Sequence, residues 1–360
     1  MKLAFCFNIK NTDPSKNLTA QKEADFDSPF IINSIAEALV SGSHEVTKIE
    51  ADNQAYFSFY KNKKNLDLVF NIAECFRGET REAQIPNILE MLNIPFTHSG
   101  SLTHSISLDK TLTKIVLSYY GILTPKYRLI KNINQLSDKD LNYPLIVKPN
   151  SEGSSIGIFN ENLVYSRLNL LERVKWLQHQ FKQSVLIEEF IDGREFTVSV
   201  LGNNPPKVLP IVEQNFEIFS ENMPRFASYE TKWFFEDNLP DATKAYHCPA
   251  PLTKNLQKKI EVISLKVFSI LNCKDVIRID YRMDKNENIF LLEVNTLPGL
   301  NPKLNEVSYL PIAARTTGFS FEGLVNTILN EAVVRYGLLP KKKVYHVLKN
   351  YWPQKYLTLQ

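Results

Sequence analysis

The chain has 360 residues, 44% of them hydrophobic, and 42 Lys and Arg against 39 Asp and Glu give a formal net charge of +3. A chain of this size buries a sizeable core and divides into two or three lobes, and its nearly balanced charge argues against a dedicated nucleic-acid binder, leaving a small molecule as the expected partner. Cys6, Cys75, Cys248 and Cys273 lie far apart without metal-ligand spacing, which excludes a disulfide framework and a structural zinc site. The apolar run at the N-terminus is too short for a secretory leader, and no segment reaches membrane-spanning length, so a cytoplasmic location without a membrane partner is expected.

In chain order, "KLAFCFNI" reads as a strand, followed by a long polar loop. "SPFIINSIAEALVSG" opens a helix with Ser28 as N-cap, Pro29 in the first turn and Gly42 at its end. "HEVTKIE" and "LDLVFNI" are further strands, and Pro86 in "AQIPNILEMLNI" either bends a helix or marks its late start. Residues 1–105 therefore read as an open, doubly wound α/β lobe. "LDKTLTKIVLSYYG" predicts an amphipathic helix capped by Asp109 and stopped at Gly121, and "TPKYRLI" a strand. "YPLIVKPNSEGSSIGIF" reads as strand, polar loop and second strand, with a helix to Phe181 and strands at "SVLIEEFI" and "REFTVSVLG" completing a small α+β lobe over 106–200. A second α+β lobe, 201–336, holds strands at "VLPIVE", "DVIRIDYRM" and "NIFLLEVN" and helices at "LTKNLQKKIEVISLKVFSIL" and "FEGLVNTILNEAVVRYG". The extension 337–360 carries five lysines, no acidic residue, and Tyr345, Tyr351, Trp352 and Tyr356. Its aromatics are expected to pack on the body while the lysines stay solvated; an anionic partner is the other reading.

The chemistry concentrates in "VIRIDYRMDKNENIFLLEVN". Period-two alternation puts Arg278 and Asp280 on one face of the first strand, and Glu293 and Asn295 on one face of the second. If the strands pair antiparallel, two carboxylates and an amide oxygen converge into a hard ligand set suited to Mg²⁺. Solvated charges on a surface strand pair would show the same pattern. Lys148 ends an apolar strand, and the following "NSEGSSIG" can fold over phosphates. In "LIEEFIDGREFTV", Glu188 and Glu189 end one strand and Glu195 begins the next, where acceptors could hold adenine or ribose.

Taken in order, "LDKTLTK", "YPLIVKPNSEGSSIGI", "EEFIDGREFTVSVLG", "VIRIDYRM" and "LLEVNTLPGLNP" resemble the ATP-grasp fold, and within it the D-alanine:D-alanine ligase family, over Ser99 to Tyr336. The resemblance implies an N-terminal pre-ATP-grasp lobe followed by the central and C-terminal lobes of the grasp. By the same resemblance, Lys110, Lys148 and Lys232 are phosphate ligands, Ser154 belongs to the loop closing over ATP, and Glu188, Glu189, Ile191 and Glu195 bind adenosine. Asp280, Glu293 and Asn295 are implied as ligands of two Mg²⁺ ions, with Mn²⁺ as an alternative. Arg278 and the backbone N–H of Gly299 are implied as oxyanion stabilisers. The implied reaction is ATP-dependent ligation of a carboxylate to an amine through an acyl phosphate, with amino acids or peptides as substrates and a homodimer as one assembly the family admits. D-Alanine ligation itself, phosphotransfer to another acceptor and non-catalytic ATP binding are the alternatives.

The N-terminal lobe departs from that family. It lacks the family's glycine-rich turn after the first strand; Glu74 stands where a histidine is expected, Trp233 where a tyrosine is, and Leu304 where a serine is. All four departures concern substrate groups, so D-alanine is expected to be a weak substrate. Glu23, Asp25, Asp27 and Glu74 either recruit a cationic group or are solvated loop charges.

Overall fold

The computed structural model describes residues 1–12, 23–220, 223–236 and 239–338. The extension expected from 337 onward lies outside them, except for its first two residues.

The N-terminal lobe is a parallel sheet of β1 (Lys2–Phe7), β2 (Glu45–Glu50) and β3 (Leu68–Asn71), in the order β2-β1-β3. Strand β1 is apolar throughout its interior because both faces are covered. Leu3, Phe5 and Phe7 meet α1 (Pro29–Ser41), while Ala4 and Cys6 meet α2 (Ala55–Asn62) and α3 (Gln84–Leu92). Ser28 caps α1 by accepting from the Ile31 N–H. Pro86 falls in the first turn of α3, behind a 3₁₀ turn at Arg81–Ala83, so it marks a late start. Helix α4 (Ser101–Leu108) was not legible as separate from α5 (Lys110–Tyr119), which Asp109 caps through the Leu112 N–H at 2.8 Å.

The central sheet is antiparallel, in the order β4 (Tyr127–Ile130), β7 (Val185–Glu189), β5 (Leu145–Pro149), β6 (Leu163–Val164), with α6 (Arg167–Phe181) burying Leu170, Val174 and Leu177 against it. The second strand expected at "IGIF" is displaced to β6. Asn162 is the reason: its side chain donates to the Gly157 and Val147 carbonyls and accepts from the Phe159 N–H, tying the loop into a turn.

The C-terminal sheet joins β8 (Arg194–Leu201), β9 (Lys207–Val208), β10 (Val212–Gln214), β11 (Tyr246–His247), β12 (Val276–Met283) and β13 (Ile289–Asn295). Two sequence expectations change here. "VLPIVE" is two short strands interrupted at Pro210, which cannot donate to a ladder. The boundary expected after residue 200 would separate β8 from its own sheet, since β8 pairs along its whole length with β12. The change of sheet falls at 190–193. There Gly193, at φ +149°, leaves no room for a side chain, because a Cβ would lie 2.0 Å from the Met283 carbonyl oxygen. Helix α7 (Lys254–Ile270) covers this sheet together with the end of α5. Helices α8 (Tyr309–Thr316) and α9 (Phe321–Arg335) return to α1, so one core is shared by both ends of the chain. Among the described residues no helix is long and apolar enough to cross a membrane.

Candidate active site

A cleft of about 270 Å³ runs between the central and C-terminal sheets and is closed at one end by loops of the N-terminal lobe. Lys110, Lys148, Ser154, Glu188, Glu189, Ile191, Glu195, Lys232, Arg278, Asp280, Glu293, Asn295 and Gly299 all line it. Residues scattered over the sequence thus share one cavity.

Its floor is the β12–β13 hairpin. Antiparallel pairing sets Asp280 opposite Glu293 and Arg278 opposite Asn295, with a bulge just after Asp280. Directly opposed side chains share a face. Arg278 Nη2 and Asn295 Nδ2 each donate to Asp280 Oδ2 at 3.0 Å, and Thr197 Oγ1 on β8 donates to Oδ1 at 2.9 Å. Lys110 Nζ stands 3.3 Å from Glu293 Oε2. Burial works against the Glu293 charge, but Lys110, Arg278 and Lys148 outweigh it and hold the carboxyl at about 2. Asp280 moves upward, because burial and the neighbouring Glu293 exceed the help from Arg278. Among the described residues no three acidic, His or Cys side chains form a metal cage; the oxygen donors here are two carboxylates and the Asn295 amide.

Where the central sheet meets the cleft, Lys148 Nζ lies 2.5 Å from Glu188 Oε2, and Lys114 Nζ lies 2.6 Å from Glu188 Oε1. Glu189 accepts from the backbone and side-chain N–H groups of Asn142, both at 2.8 Å. Arg282 donates to the Ile191 carbonyl at 2.6 Å and to Glu195 at 2.8 Å, and its guanidinium covers the Phe190 ring at 4.6 Å. Burial raises Glu195 to about 7 despite Arg282, with Asp280 and Glu293 adding to the rise. Ile146, Phe190, Phe226 and Leu292 give this end an apolar lining. Lys232 sits on a π-helical turn, Thr231–Phe235, where burial and Arg278 lower its pKa.

The loop after β5 reaches over the cleft with Ser154 and Ser155 at φ +46° and +59°. Three anchors keep it there: Lys110 Nζ donates to the Glu152 carbonyl, Ser155 Oγ to the Ala227 carbonyl at 2.9 Å, and Trp233 Nε1 to the Ser154 carbonyl at 3.3 Å. Trp233 therefore fastens the loop and is not among the cleft-lining residues, contrary to the expectation that this departure concerns a substrate group.

The opposite end is acidic. Asp25, Asp27, Glu74, Glu82 and Glu152 line it around Arg81, which pairs with Asp25 at 3.1 Å and Glu152 at 3.6 Å and donates to the Ser151 carbonyl at 2.7 Å. Burial and the neighbouring carboxylates push Glu74 well above the usual range. Burial raises Asp27 to about 6, against Lys10 and with Asp25. Glu23 turns away and accepts from Asn11 and Thr12, so it does not join this group. Leu304 is 69% exposed and does not reach the cleft. Ser308, four residues on, lines it instead, accepting from the Asn301 N–H at 3.3 Å and donating to the Gly299 carbonyl at 3.2 Å. A serine after Gly299 is thus present at the cleft, at Ser308, although Leu304 is not one.

Sequence reasoning missed Lys114, Arg81, Glu82, Glu152, Arg282 and Ser308. Two of them carried a usable signal. Lys114 follows Lys110 by one helical turn, and Arg282 continues the Arg278–Asp280 face.

The family model described as D-ala D-ala ligase C-terminus matches residues 114–330. A D-alanine–D-alanine ligase of Carboxydothermus hydrogenoformans is 34% identical over 82% of this chain and 90% of its own length. The uncharacterized protein y4sG of Sinorhizobium fredii is 33% identical over 85% of this chain and 88% of its own. The crystal structure of D-alanine–D-alanine ligase from Bacillus anthracis complexed with ATP superposes with a TM-score of 0.71 at 23% identity, covering 94% of this chain and 100% of that one, and shares the fold. The chain belongs to the D-alanine–D-alanine ligase family, ATP-dependent carbon–nitrogen ligases of the ATP-grasp fold.

Proposed function

We propose that the protein joins the carboxylate of one amino-acid or peptide substrate to the amine of another, with ATP and Mg²⁺, through an acyl phosphate. The observation that carries this reading is the convergence of Arg278, Asp280, Glu293 and Asn295 with Lys110 and Lys148 in one cleft whose far end is acidic. A carboxylate is a poor electrophile for an amine. Transfer of the γ-phosphoryl group to it forms a P–O bond and releases ADP; attack by the amine then forms the C–N bond and releases phosphate.

Each residue has a physical task in that sequence. Lys110, Lys148 and Lys232 neutralise phosphate oxygens, and the Ser154 loop excludes water from them. Glu189, Ile191 and Glu195 border the nucleoside, Phe190 and Phe226 offer an apolar surface to the base, and Glu188, expected in the same group, is instead enclosed against Lys148 and Lys114. Asp280, Glu293 and the Asn295 amide oxygen fit a hard cation that keeps other positions for phosphate. Mg²⁺ there would offset charge on the transferred group. Arg278 and the Gly299 N–H face the tetrahedral oxyanion; donors of this type typically contribute about 2.7–4 kcal/mol each. A phosphotransferase would have less use for that pair.

D-Alanine, the substrate in the names of several relatives, is the first to test. Ser308 removes one argument against it, but Asp25, Asp27 and Glu82 favour a substrate bearing more positive charge. Incubation with ATP, Mg²⁺ and a panel of D- and L-amino acids and dipeptides, followed by mass spectrometry, is expected to yield an amide, ADP and phosphate, with D-alanine pairing below the best kcat/KM. A phosphoester product would overturn ligation, and D-alanine leading in both positions would overturn the substrate preference.

A further inference from the structure

Beneath the cleft, Lys114, Glu188 and Lys148 form an unbroken chain of ion pairs on α5, β7 and β5. Lys114 and Glu188 have no exposed side-chain surface, and Lys114 does not line the cleft. Its Nζ also donates to the carbonyls of Leu291 and Leu292 at 3.4 and 3.2 Å, next to Glu293 on β13. A buried ion pair is a costly way to fill a core, since replacing the whole pair by apolar residues of similar volume is often neutral or stabilising. Burial does pull Lys114 down to about 8, with Glu188 opposing and Lys148 assisting, which still leaves it charged at neutral pH.

We propose that Lys114 is a positioning residue that divides Glu188 between two lysines, so that Lys148 presents a positive charge to the nucleotide phosphates that Glu188 alone would cancel. One carboxylate facing two ammonium groups leaves one positive charge over. Lys114 cannot deliver it, being enclosed; Lys148, at the cleft wall, can. Glu188 in turn keeps Lys148 extended. The contacts to Leu291 and Leu292 hold Lys114 in register with the strand bearing Glu293, and Lys110 begins the same helix. The inference rests on the reading of Lys148 as a phosphate ligand.

The test compares the affinity for ATP with that for adenosine, a ratio insensitive to contacts with the base. Lys114→Met is expected to lower the ratio about tenfold, the scale of one weakened charge-assisted hydrogen bond. Lys114→Met/Glu188→Gln, which restores one uncompensated charge at Lys148, is expected to recover most of it. Recovery separates charge balance from a merely structural role, which a second core substitution would not repair. An unchanged ratio in Lys114→Met, or no recovery in a folded double variant, would overturn the proposal. Lys148→Met is measured alongside: if it too leaves the ratio unchanged, the phosphate reading of Lys148 fails, whereas a drop there alone defeats only the role of Lys114. Should Lys114→Met not fold, Lys114→Gln takes its place, and failure of both to fold would assign Lys114 to the core and overturn the inference.

Discussion

The two ends of the cleft are built by different means. One end interleaves cations with carboxylates and is strand-borne: Lys148 on β5, Glu188 on β7, and Arg278, Asp280, Glu293 and Asn295 on the β12–β13 hairpin take their directions from ladder register. The other end is acidic and largely loop-borne, with Asp25, Asp27, Glu74 and Glu82 brought together around Arg81 by the N-terminal lobe. Strands fix side-chain direction to within the pleat, whereas loops tolerate replacement and carry specificity. A single scaffold can therefore keep its strand-borne end while the loop-borne end changes.

The sharpest way to break this contrast is Glu293→Gln. It removes a charge from the reacting centre, and turnover should fall about 10²–10³-fold, the scale of lost electrostatic stabilisation at a reacting group, with the thermal melt retained. Undiminished kcat would remove the hairpin from the chemistry. Next in size, Lys148→Met should raise KM for ATP about 10–100-fold with little change in KM for the amine, consistent with losing a charge-assisted contact worth about 1.5–3 kcal/mol. Equal effects on both substrates would mean that the two ends are not separable.

At the acidic end the expected effects are smaller and depend on pH. The folded protein holds Asp27 near 6, above its ordinary 3.8. Its contribution to stability is therefore full below about 3.8 and is lost as pH rises through about 6, while its carboxylate becomes available to a cationic substrate over the same interval. KM for such a substrate should fall between pH 5 and 7, and Asp27→Asn should flatten that part of the profile while leaving KM for ATP alone. A profile identical in the variant would assign Asp27 to the scaffold. The smallest effect belongs to Trp233→Phe, which keeps an aromatic ring, smaller than the indole, but removes the donor to the Ser154 carbonyl. A bond of about 0.5–1.5 kcal/mol predicts a rise of a few-fold in KM for ATP, read by steady-state kinetics; a change in amine preference instead would return Trp233 to the substrate wall.

The difference between the ends also governs how much was legible. The shared face of Arg278, Asp280, Glu293 and Asn295 followed from period-two alternation, because pairing of two such strands leaves little freedom in where alternate side chains go. Arg282, two residues beyond Asp280, obeyed the same rule and was readable in principle. Ser308 was not, since only the chain returning after the Pro298–Gly299 turn shows which hydroxyl reaches the cleft. Trp233 was identified as a departure but given the wrong task; the direction of an indole N–H on a π-helical turn has no signature in the order of residues.

By itself the sequence determined the fold class, the principal strands and helices, their caps at Ser28 and Asp109, and the order of the segments that line the cleft, because these depend on local periodicity and on residues close in the chain. Tertiary structure alone decided that β8 joins the C-terminal sheet, that Arg81 gathers Asp25 and Glu152, and that Lys114 shares Glu188 with Lys148. Those pairs are separated by tens of residues, and the strength of each depends on burial, which removes the competing water and which no local pattern encodes.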